Sequence, residues 1–180
     1  MFGRAQLDET QAPGIAPDDI PQSLDRAAFA AGCFWGVEEF FRAIPGVVDA
    51  ISGYEGGFVA KPTYEQVCSG STGHAEAVLV TFDPGAVSFE KLMEEFWRHH
   101  DPTTLNRQGP DRGTQYRSAV FVHDEAQDKA AHASLDEYQS RVKRPIVTEV
   151  TTATTFWPAE EYHQRFTERT GRGGCHVANW

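Results

Sequence analysis

One stretch of the sequence is apolar at almost every position, and it limits the folds open to the chain. Residues 76–82 include Val78, Leu79 and Val80 in succession. A strand that does not alternate between apolar and polar residues is typical of a sheet covered on both faces. We therefore predict that this segment forms a central strand.

The elements around this strand alternate between strand and helix. The run Ala27–Ala31 ends at Gly32 and is followed at once by apolar residues at helical spacing, which predicts a strand, a turn and a helix. A long loop rich in Gly, Pro, Ser and Thr ends near Gly73. Further strands are predicted at 46–54, 117–122 and 147–155.

Three more helices complete the pattern. Ser88 and Asp124 are suitable N-cap residues, and apolar residues at helical spacing follow each of them. A short helix is expected after Pro158, with Tyr162 and Phe166 facing inward. Strands and helices in this order, without an internal repeat, indicate an α/β or α+β sheet with helices packed on it.

Length and charge narrow the class further. The chain of 180 residues fits one domain, and its formal net charge of -10 disfavours nucleic acid and anionic membranes as partners. Residues 1–25 contain Pro13, Pro17 and Pro21 among polar residues, which predicts a flexible N-terminal tail before a single domain at 26–180. We find no segment long and apolar enough to be a signal peptide or a membrane span, and we expect a monomer.

The cysteines indicate a compartment and offer candidates for chemistry. Cys33, Cys68 and Cys175 are odd in number and widely spaced, which suits thiols in a reducing cytoplasm. Cys33 lies at the predicted junction of strand and helix, where the helix dipole favours a thiolate. The alternative is that Cys33 is a small buried apolar residue, which is the commoner fate of a cysteine considered alone.

Glu76 and three histidines are the other candidates for chemistry. Glu76 opens the apolar strand, so it either points into the protein, where burial would keep it protonated as a general acid, or faces water. For His74, His99 and His100 we favour structural roles over a metal site, because the sequence has no Cys-x-x-Cys and no helical His-x₃-His pair.

Taken together, several short motifs resemble the peptide methionine sulfoxide reductases of the A type, in order and in spacing, over roughly residues 26 to 180. The resemblance implies an α/β two-layer sandwich with a ferredoxin-like core. Three motifs carry most of the resemblance: Gly32-Cys33-Phe34-Trp35-Gly36, Thr72-Gly73-His74-Ala75-Glu76-Ala77 and Gly113-Thr114-Gln115-Tyr116-Arg117-Ser118. Further matches are Gly53-Tyr54-Glu55-Gly56-Gly57, Pro62-Thr63-Tyr64, His100-Asp101-Pro102-Thr103-Thr104 and His163-Gln164.

The resemblance also implies a reaction. Cys33 would attack the sulfur of an S-epimer methionine sulfoxide, free or in a protein, while Glu76 donates a proton. The resulting sulfenic acid would condense with Cys175, on a mobile tail at 171–180, to a disulfide that thioredoxin reduces. The sequence has no nicotinamide or flavin fingerprint, so no bound cofactor is expected.

Five other residues receive roles from the resemblance. Tyr64, Tyr116 and Asp111 would hold the sulfoxide oxygen or a bound water, and Phe34 and Trp35 would form the pocket for the substrate methyl group. The chain departs from the usual family pattern at Glu55, where a small residue is usual, at Pro110, where Asn is frequent, and at Gly173-Gly174, near which an aromatic is usual.

Two other functions remain possible for such a sequence. A cysteine hydrolase or transferase would pair Cys33 with a histidine such as His74, and its activity would consume no reductant. A binding module without catalysis would bury Cys33 in its core, where a thiol label would not reach it in the native protein. Cys68, without a flexible glycine arm or a nearby positive residue, is predicted to be a structural thiol.

Overall fold

The computed structural model describes residues 12–173 of the chain. The strands are β1 (Asp25–Ala31), β2 (Val47–Glu55), β3 (Ala75–Phe82), β4 (Arg107–Gln108), β5 (Asp111–Arg112), β6 (Ser118–Val122), β7 (Glu149–Thr152) and β8 (Trp157–Pro158). The helices are α1 (Phe34–Arg42), α2 (Tyr64–Cys68), α3 (Phe89–Arg98), α4 (Glu125–Gln139) and α5 (Phe166–Thr170). Single 3₁₀ turns cover Thr114–Tyr116 and Glu161–His163.

One mixed sheet organises the described part of the chain. Its strand order is β7-β6-β1-β3-β2-β8, while β4 and β5 form a separate hairpin. β3 pairs antiparallel with β1 on one side and β2 on the other, and every residue of β3 is buried. The prediction of a central strand at residues 76–82 is therefore confirmed.

The two faces of the sheet are covered differently. Helices α1, α3 and α4 lie on one face, where Phe41 and Phe96 pack against Phe29 of β1. The other face carries small residues, mostly alanines, and it is covered by Ile15 and Phe156 among others. This arrangement agrees with the predicted α/β two-layer sandwich, and it explains why the strands are apolar on both sides.

The predicted helix starts are confirmed where the sequence offers a cap. The hydroxyl of Ser88 accepts a hydrogen bond from the Lys91 N–H, and the carboxylate of Asp124 accepts one from the Gln127 N–H. Helix α2 lies within the segment for which the sequence predicts a long loop. Its signal is the capping box between Thr63 and Gln66, in which both reciprocal hydrogen bonds form.

Three other expectations differ from the structure. The strand predicted at 147–155 is limited to Glu149–Thr152. Tyr162 does not face inward, since it is 57% exposed, and its neighbour His163 is buried instead. The segment predicted as an N-terminal tail has contacts with the domain over its described part, because Ile15 pairs with Phe156 in a β-bridge. Within residues 12–173, no helix has both the length and the apolar character that crossing a membrane requires.

Candidate active site

Cys33 lies at the junction of β1 and α1, where the sequence predicts it. Gly32 has a φ of 91°, a backbone conformation that residues with a Cβ rarely adopt. This turn makes Cys33 the N-cap residue of α1, and its side chain is half-buried. The unpaired N–H groups and the dipole of the first helical turn favour negative charge on a group at this position.

Glu76 is buried, so of the two orientations left open by the sequence it points into the protein and not into water. It is 1% exposed, and its Oε2 accepts a hydrogen bond of 3.1 Å from the N–H of Phe34, which directly follows Cys33. Burial is the main cause that raises the pKa of Glu76 to about 8. The hydrogen bond from Phe34 acts to lower this pKa, and the negative charge of Asp111 acts to raise it. The carboxyl group therefore carries a proton at neutral pH.

Three polar side chains from different parts of the chain converge on this acid. Tyr64 begins α2, Asp111 lies in β5, and Tyr116 ends a 3₁₀ turn. Burial first, and then the charge of Glu76, raise the pKa of the Tyr116 hydroxyl, and the charges of Asp111 and Cys33 act in the same direction. Burial, a hydrogen bond with the Cys68 side chain and the charge of Glu76 raise the pKa of Tyr64. Tyr64, Asp111 and Tyr116 are thus within electrostatic reach of Glu76.

The two aromatic residues after Cys33 form the apolar part of the site. Phe34 is 1% exposed, and its ring lies 6.5 Å from that of Tyr64 and 5.2 Å from that of His163. Trp35 is half-buried and stacks on Phe166, with ring centroids 3.9 Å apart. An apolar wall therefore adjoins the acid and the thiol.

Two residues that hold this site together were not among the sequence-based candidates. His163 is 1% exposed, and its Nδ1 accepts a hydrogen bond of 3.0 Å from the indole N–H of Trp35. Glu160 accepts a hydrogen bond of 3.0 Å from the backbone N–H of Tyr64. The available signal was the i, i+3 spacing of two ionisable residues, Glu160 and His163, in a segment rich in aromatic residues.

The other histidines have structural partners. Nδ1 of His74 accepts a hydrogen bond from the Gly57 N–H, Nε2 lies 2.7 Å from the Val59 carbonyl oxygen, and burial lowers the pKa of the ring. Both nitrogens are therefore engaged, which disfavours a hydrolase in which His74 takes the proton of Cys33. Among residues 12–173, no three histidine, cysteine, aspartate or glutamate side chains gather as metal ligands would.

The other two cysteines are Cys68 and Cys175. Cys68 ends α2 and is exposed at the surface, although partial burial of its sulfur raises the pKa of the thiol. Cys175 lies outside the described residues. The predicted tail at 171–180 is described as far as Gly173, where an added Cβ would stand 3.1 Å from the Cβ of Trp35. The chain therefore leaves the described part beside the site.

Comparisons with known proteins point to one family. The family model described as peptide methionine sulfoxide reductase matches residues 25–179. A peptide methionine sulfoxide reductase MsrA of Geobacter sulfurreducens is 59% identical over 155 residues, which make up 85% of this chain and 96% of that protein. The fold, the buried acid and these matches define the chain as an oxidoreductase.

Solved structures lead to the same family. The reduced form of Mxr1 from Saccharomyces cerevisiae matches with a TM-score of 0.81 at 37% identity, over 85% of this chain and 89% of that chain. Mxr1 in complex with Trx2 matches with a TM-score of 0.62 at 25% identity, over 89% of this chain and 93% of that chain. The chain belongs to the peptide methionine sulfoxide reductase family, which confirms the resemblance and the predicted fold class.

Proposed function

We propose that this enzyme reduces the S epimer of methionine sulfoxide, free or within proteins, with Cys33 as its nucleophile. The observation that carries the proposal is the position of Glu76. A carboxyl group that is 1% exposed and has a pKa of about 8 is protonated when a sulfoxide arrives, and its hydrogen bond to the Phe34 N–H holds it beside the thiol. An acid next to a sulfur nucleophile is what sulfoxide reduction requires.

The chemistry then follows from these two groups. The thiolate of Cys33 attacks the sulfur of the sulfoxide, and Glu76 gives its proton to the sulfoxide oxygen. Because Oε2 of Glu76 accepts the Phe34 hydrogen bond, Oε1 is the oxygen that carries the proton. The substrate sulfur gains two electrons and becomes a thioether, while the oxygen passes to Cys33 as a sulfenic acid.

The surrounding residues supply binding and orientation. The hydroxyl groups of Tyr64 and Tyr116 donate hydrogen bonds to the sulfoxide oxygen or to a bound water, and the carboxylate of Asp111, whose charge acts on Glu76, accepts one from that water. Both tyrosine hydroxyls have a raised pKa, so they remain hydrogen-bond donors throughout the working pH range. Phe34 and Trp35 receive the substrate methyl group, since they are the aromatic side chains that directly follow Cys33.

Cys175 and an external dithiol restore the enzyme. Cys175 attacks the sulfenic acid of Cys33, which forms a disulfide and releases water. Thioredoxin reduces this disulfide, and the complex of the related Mxr1 with Trx2 supports it as the partner. The monomeric state and the cytoplasmic location stay predictions.

Mass spectrometry after one equivalent of sulfoxide, without reductant, tests the proposal. The wild-type protein is expected to lose two hydrogen atoms as its disulfide forms, while the substrate loses one oxygen atom. A protein that keeps its mass and leaves the sulfoxide unreduced would contradict the proposal. Substrate given as the R epimer is the matched control, and it should be left unconverted.

A further inference from the structure

The indole of Trp35 is held from two directions. Its ring stacks on Phe166 with the planes 13° apart, and its Nε1–H donates a hydrogen bond of 3.0 Å to Nδ1 of His163. The stacking contact holds the plane of the ring, and the hydrogen bond holds its rotation within that plane. Together they leave the indole one orientation.

His163 is itself confined by its neighbours. It is 1% exposed, and its ring centroid lies 5.2 Å from that of Phe34, 4.5 Å from that of Tyr64 and 4.0 Å from that of Tyr162. A buried ring surrounded by aromatic side chains cannot turn without disturbing them. The acceptor for the indole N–H therefore has a fixed position.

Glu160 determines which nitrogen of His163 accepts. Because Nδ1 accepts the indole hydrogen bond, the neutral ring carries its proton on Nε2, which lies 3.2 Å from Oε2 of Glu160 in a bent approach. Burial alone would raise the pKa of Glu160, but the adjoining His163 ring and the hydrogen bonds from the Tyr64 amide and the Tyr54 hydroxyl together lower it. An ionised carboxylate only accepts hydrogen bonds, so it selects the required tautomer.

We propose that His163 is a positioning residue for the reduction, and that with Glu160 it holds the Trp35 indole in the orientation that receives the substrate methyl group. This inference rests on the proposed function, which places the methyl group against Trp35. Glu160 also binds the backbone N–H of Tyr64, so the same carboxylate fixes the aromatic wall and the first residue of α2.

Two variants of His163 separate the hydrogen bond from the packing. His163→Phe keeps an aromatic ring in the same space but leaves the indole N–H without its acceptor. His163→Asn places an amide oxygen near the position of Nδ1 and restores an acceptor. His132→Phe is the matched control, because His132 is exposed on α4.

The first measurement is kcat/KM for a peptide that contains methionine sulfoxide. We expect His163→Phe to lower it about 10-fold, mainly through KM, because the methyl contact is already made in the bound substrate. His163→Asn should recover most of this loss, and His132→Phe should match the wild type.

The second measurement does not depend on activity. In protein labelled with ¹⁵N-tryptophan, the indole N–H signal of Trp35 is assigned by its loss in Trp35→Phe. This signal should move upfield in His163→Phe, since its hydrogen bond is lost, and return in His163→Asn. If His163 had only a structural role, the indole chemical shift and KM would not change together across these variants.

Distinct results would overturn the inference. For His163→Phe, either an unchanged kcat/KM or an unchanged indole chemical shift would contradict it. For His163→Asn, a restored chemical shift without restored activity would contradict it. If His163→Phe does not fold, Glu160→Gln is measured in its place. It should likewise lower kcat/KM and move the indole signal, and an unchanged value of either would contradict the inference. A wild-type enzyme that reduces no sulfoxide would refute the proposed function instead, whatever the indole signal does.

Discussion

The carboxyl group of Glu76 accepts a hydrogen bond from the backbone N–H of Phe34, 42 residues earlier in the chain. This bond joins the start of the central strand β3 to the first turn of α1, which Cys33 precedes. It opposes the rise in the pKa of Glu76 that burial causes, so the acid stays ready to lose its proton near neutral pH. One contact between strand and helix therefore holds the carboxyl group of Glu76 next to the residue that follows Cys33.

Replacement of Cys33 tests the nucleophile. Cys33→Ser should abolish the reduction of methionine sulfoxide, because a hydroxyl group is a far weaker nucleophile at neutral pH. Cys68→Ser is the matched control, and it should retain turnover driven by thioredoxin, since the raised pKa of Cys68 keeps that thiol protonated. The assay follows methionine formation. Wild-type turnover by Cys33→Ser would exclude the proposed mechanism.

Replacement of Glu76 tests the acid. Glu76→Gln should slow the chemical step about 10²- to 10⁴-fold, because an amide keeps the shape but cannot transfer a proton. In the wild type the single-turnover rate should fall as pH rises through about 8, where Glu76 loses its proton. Rapid-quench measurements across this range provide the check. An unchanged rate in Glu76→Gln would assign the proton transfer to Tyr64, Tyr116 or water.

Replacement of Cys175 tests the resolving step. Cys175→Ser should complete one reduction at the normal rate and then stop as the sulfenic acid of Cys33, because no second thiol forms the disulfide. Trapping with dimedone followed by mass spectrometry detects this state. Multiple turnovers with thioredoxin by the variant would show that Cys68 or the reductant itself resolves the intermediate.

A second buried acid predicts how stability depends on pH. Glu55 is fully buried; its Oε1 accepts a hydrogen bond of 2.8 Å from the Thr154 N–H, Oε2 has no hydrogen-bond partner, and burial raises its pKa to about 8. Between about pH 4.5 and 8 the unfolded chain loses this proton before the folded one does. Stability should therefore fall with rising pH by up to about 1.4 kcal/mol per pH unit from this group.

Glu55→Gln isolates this contribution. The amide oxygen can still accept the Thr154 hydrogen bond, but the side chain no longer ionises, so the variant should equal the wild type near pH 5 and exceed its stability near pH 8. Urea unfolding at several pH values provides the measurement. Glu90→Gln, at an exposed position in α3, is the control and should keep the wild-type dependence of the unfolding free energy on pH. Glu76, whose pKa is also raised to about 8, contributes to this dependence in both variants. An equal slope in Glu55→Gln and wild type would contradict the prediction.

Local sequence signals predict most of the strands and helices and the position of Cys33 between a strand and a helix. The apolar run at 76–82 predicted a central strand, and Ser88 and Asp124 marked two helix starts, because these signals depend on neighbouring residues alone. Gly32 beside Cys33 likewise marked a turn between strand and helix. The capping box that starts at Thr63 is an equally local signal for a helix start, although it lies in a segment rich in polar residues for which a loop is predicted.

The electrostatics of the site depend on contacts between residues that are far apart in the chain. From the sequence, Glu76 was as compatible with water as with burial, because desolvation comes from residues remote in the chain. Tyr162 was expected to face inward, but the 3₁₀ turn at Glu161–His163 places His163 inside, since it bonds to Trp35 128 residues away. The state of an ionisable group depends on such distant neighbours, which local spacing does not specify.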